Sequence, residues 1–68
     1  MMTWDQIKGD WQQFSVKLKE EWSKLTDQEL TGIAGKKEQL IRALNLRYGY
    51  PKERAEIEIN RFIRQLTP

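Results

Sequence analysis

The stretch WDQIKGDWQQFSVKLKEEWSKL, Trp4 to Leu25, decides how the chain is read. Trp4, Ile7, Trp11, Phe14, Leu18, Trp22 and Leu25 recur every three or four residues, so at about 3.6 residues per turn they share one narrow face. That spacing predicts an amphipathic helix with a single buried stripe. Gly9 interrupts it at a cost of about 1 kcal/mol relative to Ala, which leaves three courses for residues 1–9: to fray, to bend, or to form a separate short helix. The firm part of the helix is expected from Asp10 onward.

The next segment, KLTDQEL, ends this helix and starts another. Thr26 can accept from the backbone N–H of Glu29 while the Glu29 carboxylate accepts from the N–H of Thr26, which completes a capping box. Leu25 before the cap and Leu30 beyond it are placed as a hydrophobic staple, so a sharp corner is expected after Trp22. Gly32 and Gly35 bracket Ile33 and Ala34, and both favour a stop or turn, so the second helix is expected to be short. The apolar pattern resumes with Leu40, Ile41, Leu44 and Tyr48. It stops at RYGY, where Gly49 suits a left-handed closing residue and Tyr50 can fold back on Leu44. Pro51 forbids continuation, extends Tyr50 and suits the first turn of a helix running from Lys52. Ala55, Ile59, Phe62, Ile63 and Leu66 supply the buried stripe of that last helix.

LKEEWSKLTDQEL and LNLRYGYPKERA align roughly, Trp22 with Tyr48 and Thr26 with Pro51, so each half reads as helix, corner, helix. Two such hairpins would bury their apolar faces against each other. The expected fold is all-α, a small bundle of four helices in a single domain spanning residues 1–68. Its expected core is Trp11, Phe14, Leu18, Trp22, Leu40, Leu44, Tyr48, Ile59 and Phe62.

At 68 residues, such a domain buries only about 60% of the surface its unfolded form exposes, and with no cysteine its stability rests on packing. Hydrophobic content of 38% beside 32% charge places it among globular sequences. No apolar run approaches the roughly 18 residues that span a bilayer, and MMTWDQIKGD lacks the basic-then-apolar layout of a signal peptide. A cytoplasmic location, away from membranes, is therefore expected. The net charge of +2 is uneven: residues 1–35 carry four Lys/Arg against six Asp/Glu, a balance of −2, and residues 36–68 carry eight against four, a balance of +4. Such an asymmetry could steer an anionic partner to the C-terminal half, but Glu38, Glu53, Glu56 and Glu58 interrupt any basic stripe, and an ordinary solvated surface is the plainer reading.

Histidine and cysteine are both absent, which removes the commonest general base, the commonest metal ligand and the most nucleophilic side chain. Ser15 and Ser23 have no base at recognisable spacing. Glu53 and Glu56, one turn apart, could share a hard cation, although loose pairing with Lys52 or Arg54 in water is the simpler account. No catalytic residue, cofactor or metal site is expected, and the protein is not expected to be an enzyme. Trp4, Trp11 and Trp22 with Tyr48 and Tyr50 could form a stacking platform for single-stranded nucleic acid if exposed, but their helical spacing is that of core residues. The segment LTGIAGKKEQL, Leu30 to Leu40, is similar to the glycine hairpin of helix-hairpin-helix modules, with two residues rather than one between its glycines. It places Lys36 and Lys37 beside a helix N-terminus, where an anion is favoured. These lysines, with Arg42, Arg47, Arg61 and Arg64, are the candidate contacts for nucleic acid or phosphate. Val16, Leu46 and Ile57 lie off their stripes and are the candidates for self-association or a protein partner.

GDWQQF at 9–14, KLKEEWSKLTDQEL at 17–30, GKKEQL at 35–40 and RYGYPKERAE at 47–56 together resemble the CsbD-like family of small bacterial stress-response proteins. The chain departs from that pattern at Ser15 and Ser23, where the family often has glycine, and at Pro51, where a capping residue such as serine is common. The resemblance implies two helical hairpins packed crosswise and expression under general stress. It implies no established molecular activity and no site residues to carry over. The functional expectation is a non-enzymatic protein acting through its surface, with nucleic-acid or phosphate binding and self-association or protein interaction as alternatives.

Overall fold

The computed structural model describes residues 3–66, which form five α-helices: α1 (Trp4–Gly9), α2 (Trp11–Glu21), α3 (Asp27–Ile33), α4 (Lys37–Tyr48) and α5 (Lys52–Leu66). No strand occurs among the described residues. The ends of the expected 1–68 domain, at residues 1–2 and 67–68, lie outside the described residues. The all-α class holds, and the helices number five because residues 4–9 form a helix apart from the four longer ones, with the break at Asp10.

Thr3 caps a helix of its own: its hydroxyl accepts from the N–H of Gln6 at 3.4 Å, and the Gln6 side chain accepts from the N–H of Thr3 at 2.9 Å. The residues TWDQ thus form a T-x-x-Q capping box. The helix it starts runs only to Gly9. Asp10, at φ −124° and ψ 49°, closes α1 and opens α2 without contributing a side-chain cap to either. A separate short helix is the course taken. Packing holds it: Ile7 is fully buried and the Trp4 indole N–H donates to the Gly35 carbonyl at 2.8 Å. A six-residue helix is far below the length that is stable alone in water, so α1 exists because it is docked.

The corner after Trp22 forms as the sequence predicts. Thr26 and Glu29 make both hydrogen bonds of the capping box at 3.1 Å, and Leu25 and Leu30 are buried as a staple would place them. The turn from α3 to α4 differs in detail. Gly32 lies inside α3, and the left-handed residues are Ala34 (φ 49°) and Gly35 (φ 82°), so the stop falls two residues later than the first glycine suggests. At the last corner Gly49 is left-handed (φ 69°), the Asn45 side-chain amide donates to the Tyr50 carbonyl at 2.9 Å, and the Pro51 carbonyl accepts from Ala55 to open α5.

These corners fold the stripes of α2 to α5 onto one another. Leu18, Trp22, Leu25, Leu30, Ile33, Leu40, Leu44, Ala55, Ile59 and Phe62 form a single buried cluster, with the Trp22 and Phe62 rings 5.4 Å apart. Leu25, Leu30, Ile33, Ala55 and Ile7 join the expected core as buried residues, whereas Trp11 and Tyr48 are only half-buried at its edge. The radius of gyration, 10.9 Å, matches the value of about 11 Å for a fully compact chain of this length. No described helix is long and apolar enough to cross a membrane.

Candidate functional site

The aromatic residues are tied into the structure through both their rings and their polar atoms. The Trp11 indole N–H donates to the Leu30 carbonyl at 2.9 Å, Trp4 donates to Gly35, and the two rings meet edge-to-face at 6.3 Å. Leu30 and Gly35 sit near the end of α3 and in the turn beyond it, where helix carbonyls run short of partners. Trp4 gives the Gly35 carbonyl a donor, and Trp11 adds a second donor to the Leu30 carbonyl, which also accepts from the Ala34 N–H. Tyr48 accepts from the Lys24 backbone N–H at 3.1 Å, which joins the end of α4 to the corner before α3, and Lys24 lies over its ring. Tyr50 lies against Tyr48 at 5.5 Å and carries the Arg54 guanidinium 4.5 Å from its own ring centre. Trp22 is buried. The aromatic residues thus serve as packing and hydrogen-bonding groups, with Trp4, Trp11, Tyr48 and Tyr50 half-buried.

The six candidate cations fall on two helices, Lys36, Lys37, Arg42 and Arg47 at the start of or within α4 and Arg61 and Arg64 in α5. Lys36 is the N-cap of α4, with no side-chain hydrogen bond, and Lys37 begins the helix. Both line a shallow groove with Trp4, Asp5, Lys8 and Glu38. Lys8 is a further cation at this groove that the sequence pattern does not point to: it is distant from Gly35 along the chain and lies against it in space. Arg42 lines a second groove with Glu38, Ile41, Asn45 and Lys52, and Glu38 is common to the two. Arg47 is engaged, its Nε donating to both Glu29 oxygens at 3.0 and 3.1 Å, and Arg61 pairs with Glu58 at 3.5 Å. Arg64 is exposed in the last turn of α5. Among the described residues, Lys36, Lys37, Arg42 and Arg64 form no ion pair.

The turn at Ala34 and Gly35 is also partly used by the chain itself. The N–H groups of Ala34 and Lys36 donate to Leu30 and Ile33, and the Gly35 carbonyl accepts from Trp4. A Cβ on Gly35 would stand 2.8 Å from Lys8 Cγ and 3.2 Å from Lys8 Cα, so α1 lies directly against this turn.

The titratable groups point to the same division between structure and surface. Glu29 is held below its ordinary carboxylate value, first by the Thr26 backbone N–H and then by Arg47, with some opposition from desolvation. The first cause belongs to the corner before α3 and the second to the last turn of α4. No group of three or more potential metal ligands occurs among the described residues. Arg54 lies over Tyr50, and Glu53 and Glu56 form no ion pair among the described residues, which corrects the pairing expected for them.

Val16, Leu46 and Ile57 are exposed at 59%, 73% and 56%. Each lies about half a turn round its helix from the buried stripe.

The chain is 53% identical over 58 residues to UPF0337 protein ECA0631 of Pectobacterium atrosepticum, covering 85% of this chain and 84% of the relative. The chain belongs to the UPF0337 family. Within it, UPF0337 protein YjbJ of Salmonella typhimurium is 49% identical over 59 residues, covering 87% of this chain and 84% of the relative, and YjbJ of Escherichia coli K12 is 48% identical over 58 residues, covering 85% and 84%. No family model and no solved structure matches the chain.

Proposed function

We propose that this UPF0337 chain is a CsbD-like, stress-associated cytoplasmic protein that works without catalysis, by presenting its outer surface to a partner. In this reading the body is two helical hairpins, α2–α3 and α4–α5, packed crosswise, with α1 added. The observation that supports it is the division of side chains. The tryptophans are held by core packing or backbone carbonyls, while Val16, Leu46, Ile57 and most of the candidate cations remain outside. The test is stress survival of cells lacking their own copy and supplied with variants. Val16→Ser, Leu46→Ser and Ile57→Ser together should leave the melting temperature within a few degrees of the parent and abolish protection. Protection that survives both this variant and neutralisation of Lys36, Lys37, Arg42 and Arg64 would overturn the reading.

The lack of ion pairs at Lys36, Lys37, Arg42 and Arg64 favours nucleic-acid or phosphate binding as the second reading. If these four cations contact phosphates, affinity for DNA or RNA should fall on the order of a hundredfold between about 50 and 200 mM salt. Fluorescence anisotropy with labelled duplex and single strands measures this, and absence of binding at the lower salt rejects it.

A further inference from the structure

The apolar stripe of Trp4, Ile7, Trp11, Phe14, Leu18 and Trp22 is continuous in sequence, yet the helix carrying it is broken at Asp10. The break is local and weakly specified. Asp10 gives α2 no side-chain cap, Gly9 has nothing within 4 Å of where a Cβ would stand, and Gly9 does not have positive φ. Helix starts leave backbone N–H groups without intrahelical partners, so straightening the joint would restore hydrogen bonds that the bend forgoes. The bend is held instead by what α1 docks against: the buried Ile7, the Trp4 bond to Gly35 and the close approach of Lys8 to Gly35.

We propose that α1 exchanges between two copies of the chain: Asp10 straightens, residues 4–21 run as one helix, and each α1 docks on the other copy's α3–α4 turn. Exchange of an identical element is a low-cost route to a dimer, since the interactions that hold α1 within one chain form again between two. The occupant is a second copy because the receiving surface fits this segment, with Lys8 Cγ and Cα standing 2.8 and 3.2 Å from where a Gly35 Cβ would be and the Gly35 carbonyl supplied to an indole. A straight helix of these 18 residues is about 27 Å long, so its first turns would extend well away from their own domain. Val16, Leu46 and Ile57 take no part in this exchange.

The test is molar mass by light scattering across a concentration series, with circular dichroism to establish folding. The wild-type chain should show a dimer as concentration rises toward millimolar. Gly9→Ala with Asp10→Ala favours the continuous helix and should lower the dimer dissociation constant at least about tenfold. Adding Ile7→Ala should return that variant to monomer, because docking is weakened in either arrangement, whereas adding Leu46→Ser and Ile57→Ser should leave the dimer intact. A wild-type chain that remains monomeric at millimolar concentration, or a dimer that survives Ile7→Ala, overturns the proposal. If the double variant does not fold, the wild-type series with and without Ile7→Ala decides the matter alone.

Discussion

The joint between α1 and α2 and the joint between α4 and α5 both interrupt an apolar pattern, but they are made differently. The second is written into its own residues: Gly49 takes the left-handed position, Asn45 holds the Tyr50 carbonyl, and Pro51 cannot continue the preceding helix. The first has Asp10, which caps nothing with its side chain, and its geometry is maintained by the Trp4–Trp11 ring contact across the joint and by contacts made far along the chain at Gly35. One corner is therefore a property of local chain chemistry and the other a property of docking.

The largest test of this contrast compares two fully buried side chains. Leu44→Ala and Ile7→Ala should each cost about 2–5 kcal/mol where the side chain is docked. Leu44→Ala should lower the melting temperature of the whole domain. Ile7→Ala should mainly speed amide exchange in α1 while α4 and α5 stay protected, and equal loss of protection throughout would show that α1 belongs to the same cooperative unit.

Glycine substitutions sharpen the same point. Gly35→Ala meets both a left-handed backbone and the Lys8 contact, so a cost of about 1–3 kcal/mol is expected, with α1 exchange affected most. Gly49→Ala meets the backbone penalty alone, about 1–2 kcal/mol, because nothing lies within 4 Å of its Cβ position. Denaturant titration gives the stabilities and hydrogen exchange gives their location.

Smaller still are the caps. Thr26→Ala should remove about 1 kcal/mol from global stability, whereas Thr3→Ala should act on α1 only. Acid should act through Glu29. Its folded value lies below the ordinary 4.5, so its contribution is complete above that value and is lost as pH falls through the lower folded value. The stability difference between wild type and Glu29→Gln should therefore shrink as pH drops below 4.5, and a difference independent of pH would remove Glu29 charge from the account of this corner.

Much of the fold is legible because the relevant signals are local. The Thr26–Glu29 box, the Leu25–Leu30 staple and the RYGYP stop each act over a few residues and appear where their patterns place them. The Thr3–Gln6 box is equally local, but the longer apolar stripe runs across it and leaves a separate helix as one of three courses for residues 1–9. The candidate cations are legible as residues but not as a group. Nothing near Arg47 in sequence signals that Glu29 engages it, and nothing near Lys36 signals that Lys8 shares its groove.

By itself the sequence determined the helical class, the position of three corners and the residues able to enter a core, because helix period, capping and proline geometry operate within a turn or two of chain. Only the tertiary structure decided that the first stripe breaks at Asp10, that two indoles reach the end of α3 and the turn beyond it, and that Arg47 is taken up by Glu29. Those outcomes depend on which distant backbone carbonyl, glycine or carboxylate comes within about 3 Å, and distance in space is not encoded by the pattern of any one segment.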